Sequence, residues 1–83
     1  MNKVERDIQN FLEKWLQKSV KQYVDHMDGC PNGGLHDLIL TGVEKPLLKM
    51  VLEATDGNQT RAARILGLNR NTLRKKLQTY HIL

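Results

Sequence analysis

A single cysteine, Cys30, stands in this 83-residue chain, so no intramolecular disulfide can form. The other soft metal ligands, His26, His36 and His81, do not fall with it at zinc-ligand spacing. No metal or other cofactor is therefore expected. There is no run of about 20 apolar residues, which excludes a membrane-spanning helix from the expectation. The opening residues MNKVERDIQNF are charged from the third position onward, unlike a signal peptide. A cytoplasmic chain with a reduced thiol is expected. Nucleophiles, acids and histidines are not grouped as catalysis requires, so no enzyme is expected. A chain this short buries little surface and usually leans on a disulfide, a metal or a partner subunit. With the first two set aside, self-association is the expected support.

The most informative absence is of acid. Residues 57–83 contain no Asp or Glu, but six cations: Arg61, Arg64, Arg70, Arg74, Lys75 and Lys76. Residues 1–56 carry seven Lys/Arg and nine Asp/Glu, so the net charge of +4 is a balance of −2 before residue 57 and +6 after it. A basic segment cleared of carboxylates suits a polyanion, because an acid there would repel phosphate.

What is present reads as four helices and no strand. Over about Asn2 to Met27, Val4, Ile8, Phe11, Leu12, Trp15, Leu16, Val20, Tyr23, Val24 and Met27 recur at spacings of three and four, an amphipathic helix. Phe11, Trp15 and Tyr23 fall on this stripe and are expected in a core. At ~1.5 Å per residue the helix is close to 40 Å long, too long for its own chain to cover. Asp28 to Gly34 is dense in turn residues and reads as a loop. In a second helix, about Leu35 to Thr55, apolar residues wrap most of the circumference, which predicts burial nearly all round. Pro46 lies within it and removes one backbone hydrogen bond. A kink near Gly42–Pro46 is expected, or else two helices broken before Pro46. Gly57 is expected to end this helix in the left-handed position. Asn58 caps a third helix, about Gln59 to Leu66, which Gly67 ends. Asn69 caps a fourth, about Arg70 to Tyr80. Leu68 and Leu73 have the spacing of a hydrophobic staple.

Two short helices joined through Gly67-Leu68-Asn69 form a helix-turn-helix pattern. Ala62 and Ala63 are small enough for a close crossing, and Leu66, Leu68 and Leu73 supply the wedge. In such motifs the second helix enters the major groove with its N-terminal residues toward the bases. Here that half carries Arg70, Asn71, Thr72, Arg74, Lys75 and Lys76, all donors or mixed donor-acceptors as base edges and phosphates demand.

The run GNQTRAARILGLNRNTLRKKL, Gly57 to Leu77, strongly resembles the Fis family of bacterial nucleoid-associated proteins. Val43-Glu44-Lys45-Pro46-Leu47-Leu48 matches the segment before it, and weaker similarity reaches back to about Ser19. The resemblance implies an all-α homodimer. Residues 1–56 would form dimerisation helices, intertwined as a four-helix core, and residues 57–83 a DNA-reading segment of the same compact domain. It also implies recognition helices set too close for successive major grooves of straight DNA, so that binding bends the duplex and specificity is partly indirect. Carried onto this sequence, Asn58, Thr60 and Arg61 are phosphate contacts. Asn69, Arg70 and Thr72 are contacts at the start of the recognition helix, with Arg70 bidentate to guanine. Arg74 reaches base edges or backbone, and Lys75 and Lys76 meet phosphate. Asn71 stands where some relatives have glycine. The helical periodicity of the residues before Ser19, in place of an activating arm, argues against contact with a recombinase. The expected function is a sequence-tolerant, DNA-bending transcriptional regulator of the nucleoid. The alternatives are the C-terminal module of an NtrC-type sigma-54 activator, which shares this motif, and a helical protein-interaction module.

Overall fold

The computed structural model describes residues 1–27 and 33–83. Its described residues form four α-helices: α1 (Lys3–His26), α2 (Leu35–Ala54), α3 (Gln59–Leu66) and α4 (Arg70–Thr79). The all-α class is as the sequence predicts. The loop expected over Asp28 to Gly34, including Cys30, lies mostly outside the described residues. None of the described helices is long and apolar enough to cross a membrane. By contacts the chain divides into two units, α1 on one side of the division and residues 33–83 on the other.

The helix α1 begins where Asn2 caps it, its side-chain oxygen accepting the Glu5 N–H at 2.8 Å. Glu5 in the first turn and His26 in the last complement the helix dipole. No residue of α1 is buried, and its large apolar side chains Val4, Ile8, Phe11, Leu12, Trp15, Leu16 and Val24 are all exposed. With no buried residue on α1, burial within its own unit does little to offset the entropy of ordering so amphipathic a helix.

Residues 33–83 hold the core. It consists of Leu48 from α2, Ala62 and Ala63 from α3, and Leu73 and Leu77 from α4. Val51, Leu52, Leu66, Leu68, Tyr80 and Ile82 pack around it. The two alanines are almost without solvent exposure, and their small size lets α3 lie against both α2 and α4. Fully burying each of the three leucines contributes about 1.5–3 kcal/mol.

Pro46 lies inside a single continuous helix; the alternative of two helices broken before it is not what forms. The expected all-round burial of α2 is absent from the single chain. Leu48 is 1% exposed, whereas Leu38 is 58% and Met50 64% exposed. The reason is area: two helices of eight and ten residues can cover only one side of a twenty-residue helix.

All three helices of this unit end the same way. Paired backbone bonds close each terminus: Gly57 N–H to Leu52 O with Asp56 N–H to Glu53 O, Leu68 to Ala63 with Gly67 to Arg64, and Ile82 to Leu77 with His81 to Gln78. This is the Schellman arrangement, which needs a left-handed residue just past the helix. Gly67 supplies it at φ 71°, but Asp56 at φ 54° and His81 at φ 57° do so without being glycine. Gly57, expected in that role for α2, is the second left-handed residue of the turn, at φ 81°. Aspartate tolerates this region better than most side chains do. Between α2 and α3 the buried Thr55 hydroxyl lies 3.1–3.2 Å from the carbonyl oxygens of Val51, Leu52 and Asn58, any one of which can accept its single hydrogen.

Candidate nucleic-acid interface

Two asparagines start the two helices of the motif. The Asn58 side-chain oxygen accepts from the Arg61 N–H at 3.1 Å, and that of Asn69 from the Asn71 N–H at 2.8 Å. Each cap uses the carbonyl end of the amide and turns no Nδ2 donor toward the helix. The donors of Asn58 and Asn69, both exposed, are thus left for an external acceptor.

The turn at Gly67 sets α4 so that one of its edges faces the start of α3. A shallow polar depression results, lined by Gly57, Asn58, Gln59, Thr60, Arg70, Arg74, Gln78 and Leu83. Four of the ten sequence-predicted contact residues meet here: Asn58, Thr60, Arg70 and Arg74. Arg70, Arg74 and Gln78 follow at i, i+4 and i+8, which is one stripe of a helix. Beside it run Asn71 and Lys75, also four apart and exposed, with Thr72 further round. The buried Leu73 and Leu77 flank the stripe on its other edge, about 80° round the helix. Arg61 lies on the exposed side of α3, away from Ala62 and Ala63. The cations and the unpaired N–H groups at the start of α3 favour an anion, and no Asp or Glu occurs in residues 57–83 to oppose it.

Lys76 stands apart from the other nine. It is half-buried, and its Nζ donates to Glu44 Oε1 at 3.1 Å. The same oxygen accepts the Tyr80 hydroxyl at 2.6 Å. These donors hold the Glu44 carboxyl below the ordinary carboxylate range, chiefly through the Tyr80 hydrogen bond; partial burial opposes the shift and Lys76 assists it. The Tyr80 hydroxyl is raised above the usual phenol range, first by its bond to Glu44 and then by burial and the carboxylate charge, with Thr41 opposing.

Sequence reasoning missed Gln78 and Gln59, and it missed the tie from Glu44 to Tyr80. Gln78 was signalled by its spacing from Arg70 and Arg74. The tie had no local signal, because its partners lie 32 and 36 residues apart.

A basic, asparagine-capped helix pair joined by a left-handed glycine, on an all-α chain, defines a helix-turn-helix protein. Residues 39–80 match the family model described as "Bacterial regulatory protein, Fis family". The chain is 44% identical over 79 residues to a "DNA-binding protein Fis" of Buchnera aphidicola subsp. Acyrthosiphon pisum (strain 5A), covering 95% of this chain and 81% of that protein. It is 51% identical over 71 residues to the "DNA-binding protein Fis" of Histophilus somni (strain 2336), covering 81% and 72%. It is also 50% identical over 72 residues to the "DNA-binding transcriptional regulator NtrC" of Azospirillum brasilense, covering 86% of this chain but 15% of that protein. The chain belongs to the Fis family of bacterial regulatory proteins.

Proposed function

We propose that this chain is a homodimeric, sequence-tolerant DNA-binding protein that bends its duplex and regulates transcription as a component of the nucleoid. The observation that carries this reading is the Arg70–Arg74–Gln78 stripe facing the asparagine-capped start of α3, within a segment free of acid. Arg70 is the reader of guanine, through two parallel N–H groups. Asn58, Thr60 and Arg61 hold phosphate at the start of α3. Asn69, Asn71 and Thr72 do so at the start of α4, and Arg74 and Lys75 reach base edges or flanking backbone. Contact with a recombinase is not part of the reading.

Dimerisation is assigned to residues 1–56. The apolar stripe of α1 and the exposed Leu38, Leu40, Val43, Leu47 and Met50 of α2 exceed what a soluble monomer ordinarily leaves open. A second copy would cover them and hold the two recognition helices at a set distance. DNA that cannot bend to that distance would bind weakly, which gives discrimination at base pairs the protein does not touch.

A labelled duplex of ~25 base pairs with an A/T-rich centre should shift at low salt, with affinity falling steeply as salt rises. Sedimentation at micromolar protein should give a dimer. No shift at low salt contradicts the DNA reading, and a folded monomer contradicts the dimer.

The 50% identity to the end of a far longer NtrC regulator supports a second reading, in which such a module serves an activator. Stimulation of transcription from a sigma-54 promoter by this segment fused to an activator's remaining domains would favour it.

A further inference from the structure

Among the described residues, Lys76 is the one cation of the basic segment that has a carboxylate partner. Two donors four residues apart, Lys76 Nζ in the last turn of α4 and Tyr80 Oη at its C-cap, converge on a single oxygen of Glu44 in α2, at 3.1 and 2.6 Å. Two bonds spaced along one helix and meeting at one acceptor resist both its sliding and its rolling. They lie on the side of α4 next to the buried Leu73 and Leu77, which lock the same face. At ~100° per residue Lys76 is about 160° round the helix from Arg74. Lys75, between them, is exposed and has no such partner among the described residues.

We propose that Glu44 withholds Lys76 from DNA. Lys76 is a positioning residue that ties the recognition helix to α2, and Glu44 thereby lowers by one the number of phosphates the interface neutralises per chain. The proposal rests on the DNA-binding reading above. A phosphate competing for Lys76 must break a charge-assisted bond in a partly desolvated site, leaving the carboxylate close to its own negative charge. Lys75 has no such bond to break. The effect is to moderate affinity, keeping the protein exchangeable along a duplex, while fixing the angle of Arg70 and Arg74.

The counterion slope separates this from a purely structural role. Each phosphate neutralised adds about 0.9 to the steepness of log K against log salt. Full-length wild type, Lys75→Gln, Lys76→Gln, Glu44→Gln and the Glu44→Gln/Lys76→Gln double variant would be titrated against one ~25-base-pair duplex over a salt series. With two chains on the duplex, Lys75→Gln should flatten the slope by about 1.8 and Lys76→Gln should leave it unchanged. Glu44→Gln should steepen it by about 1.8, a roughly sixtyfold tightening at 0.1 M salt relative to 1 M, and the double variant should return it to wild type. Flattening by Lys76→Gln equal to that by Lys75→Gln overturns the proposal and leaves the DNA reading intact. Absence of wild-type binding overturns both. A variant-free measurement guards against misfolding: the carbon NMR signal of the Glu44 carboxyl should keep its position when unlabelled duplex is added to wild type. A shift on binding, as Lys76 leaves, overturns the proposal.

Discussion

Gly67 offers the sharpest test of how this helix pair is built. It is left-handed at φ 71°, and a Cβ built there meets nothing within 4 Å. Substitution by alanine therefore changes backbone energy and almost nothing else. An L side chain in the left-handed region costs about 1–2 kcal/mol. Stiffening the unfolded chain returns roughly 0.4–1 kcal/mol. Gly67→Ala should then destabilise by about 1 kcal/mol net, and Gly67→Asn by less, since asparagine tolerates this region. Urea unfolding at fixed protein concentration would measure both, fixed because a self-associating chain gains stability with concentration. The m-value should not change. The refolded variant should retain DNA affinity, because Arg70 and the start of α3 keep their relation. Equal stability of alanine and glycine would refute the reasoning, and so would asparagine being worse than alanine. The first outcome would mean that the left-handed backbone costs alanine nothing here, and the second that side-chain size rather than backbone conformation sets the cost.

Other expectations follow from the same structure. Leu77→Ala removes a side chain with no exposure and should destabilise by about 2–5 kcal/mol, readable as a large fall in the urea midpoint. Arg70→Ala should lose about 1–3 kcal/mol on the preferred site and relax base preference at one position; an equal loss on all sequences would make Arg70 a phosphate contact instead. Glu44 has a depressed folded-state pKa, so its contribution to stability is present above its ordinary value of 4.5 and is lost as pH falls through the lower folded value. Tyr80 is raised, so its contribution is present below its ordinary value of 10.0 and lost as pH rises past the folded one. Thermal melts of Glu44→Gln and wild type should therefore differ most between these limits and converge in acid. A constant difference down through the carboxylate range would show that the carboxylate charge contributes nothing.

Much of the fold was legible because helices are local objects. Asn58 and Asn69 announce helix starts, since each offers an oxygen to an N–H two or three residues on. Leu73 and Leu77 announce a buried face by their spacing. Burial of α2 was not legible: its sequence is apolar nearly all round, but the single chain covers only the side of Leu48. The contact residues around Arg70 were legible from charge and helix position. Gln78 was overlooked because glutamine carries no charge to draw attention, although its place on the stripe was fixed by spacing.

By itself, then, the order of residues determined where each helix starts and stops, which face of α4 is apolar, and that all positive charge after residue 57 is unopposed within that segment. These depend on bonds and spacings within a turn or two of chain. Only the tertiary structure decided that Glu44 would meet Lys76 and Tyr80, and that Arg70, Arg74 and Gln78 would face Asn58 and Thr60. Those meetings depend on the directions taken at two turns, the left-handed pair Asp56-Gly57 and Gly67. A change of angle at either turn moves a side chain several ångströms at the far end of a helix, and no local pattern carries that angle.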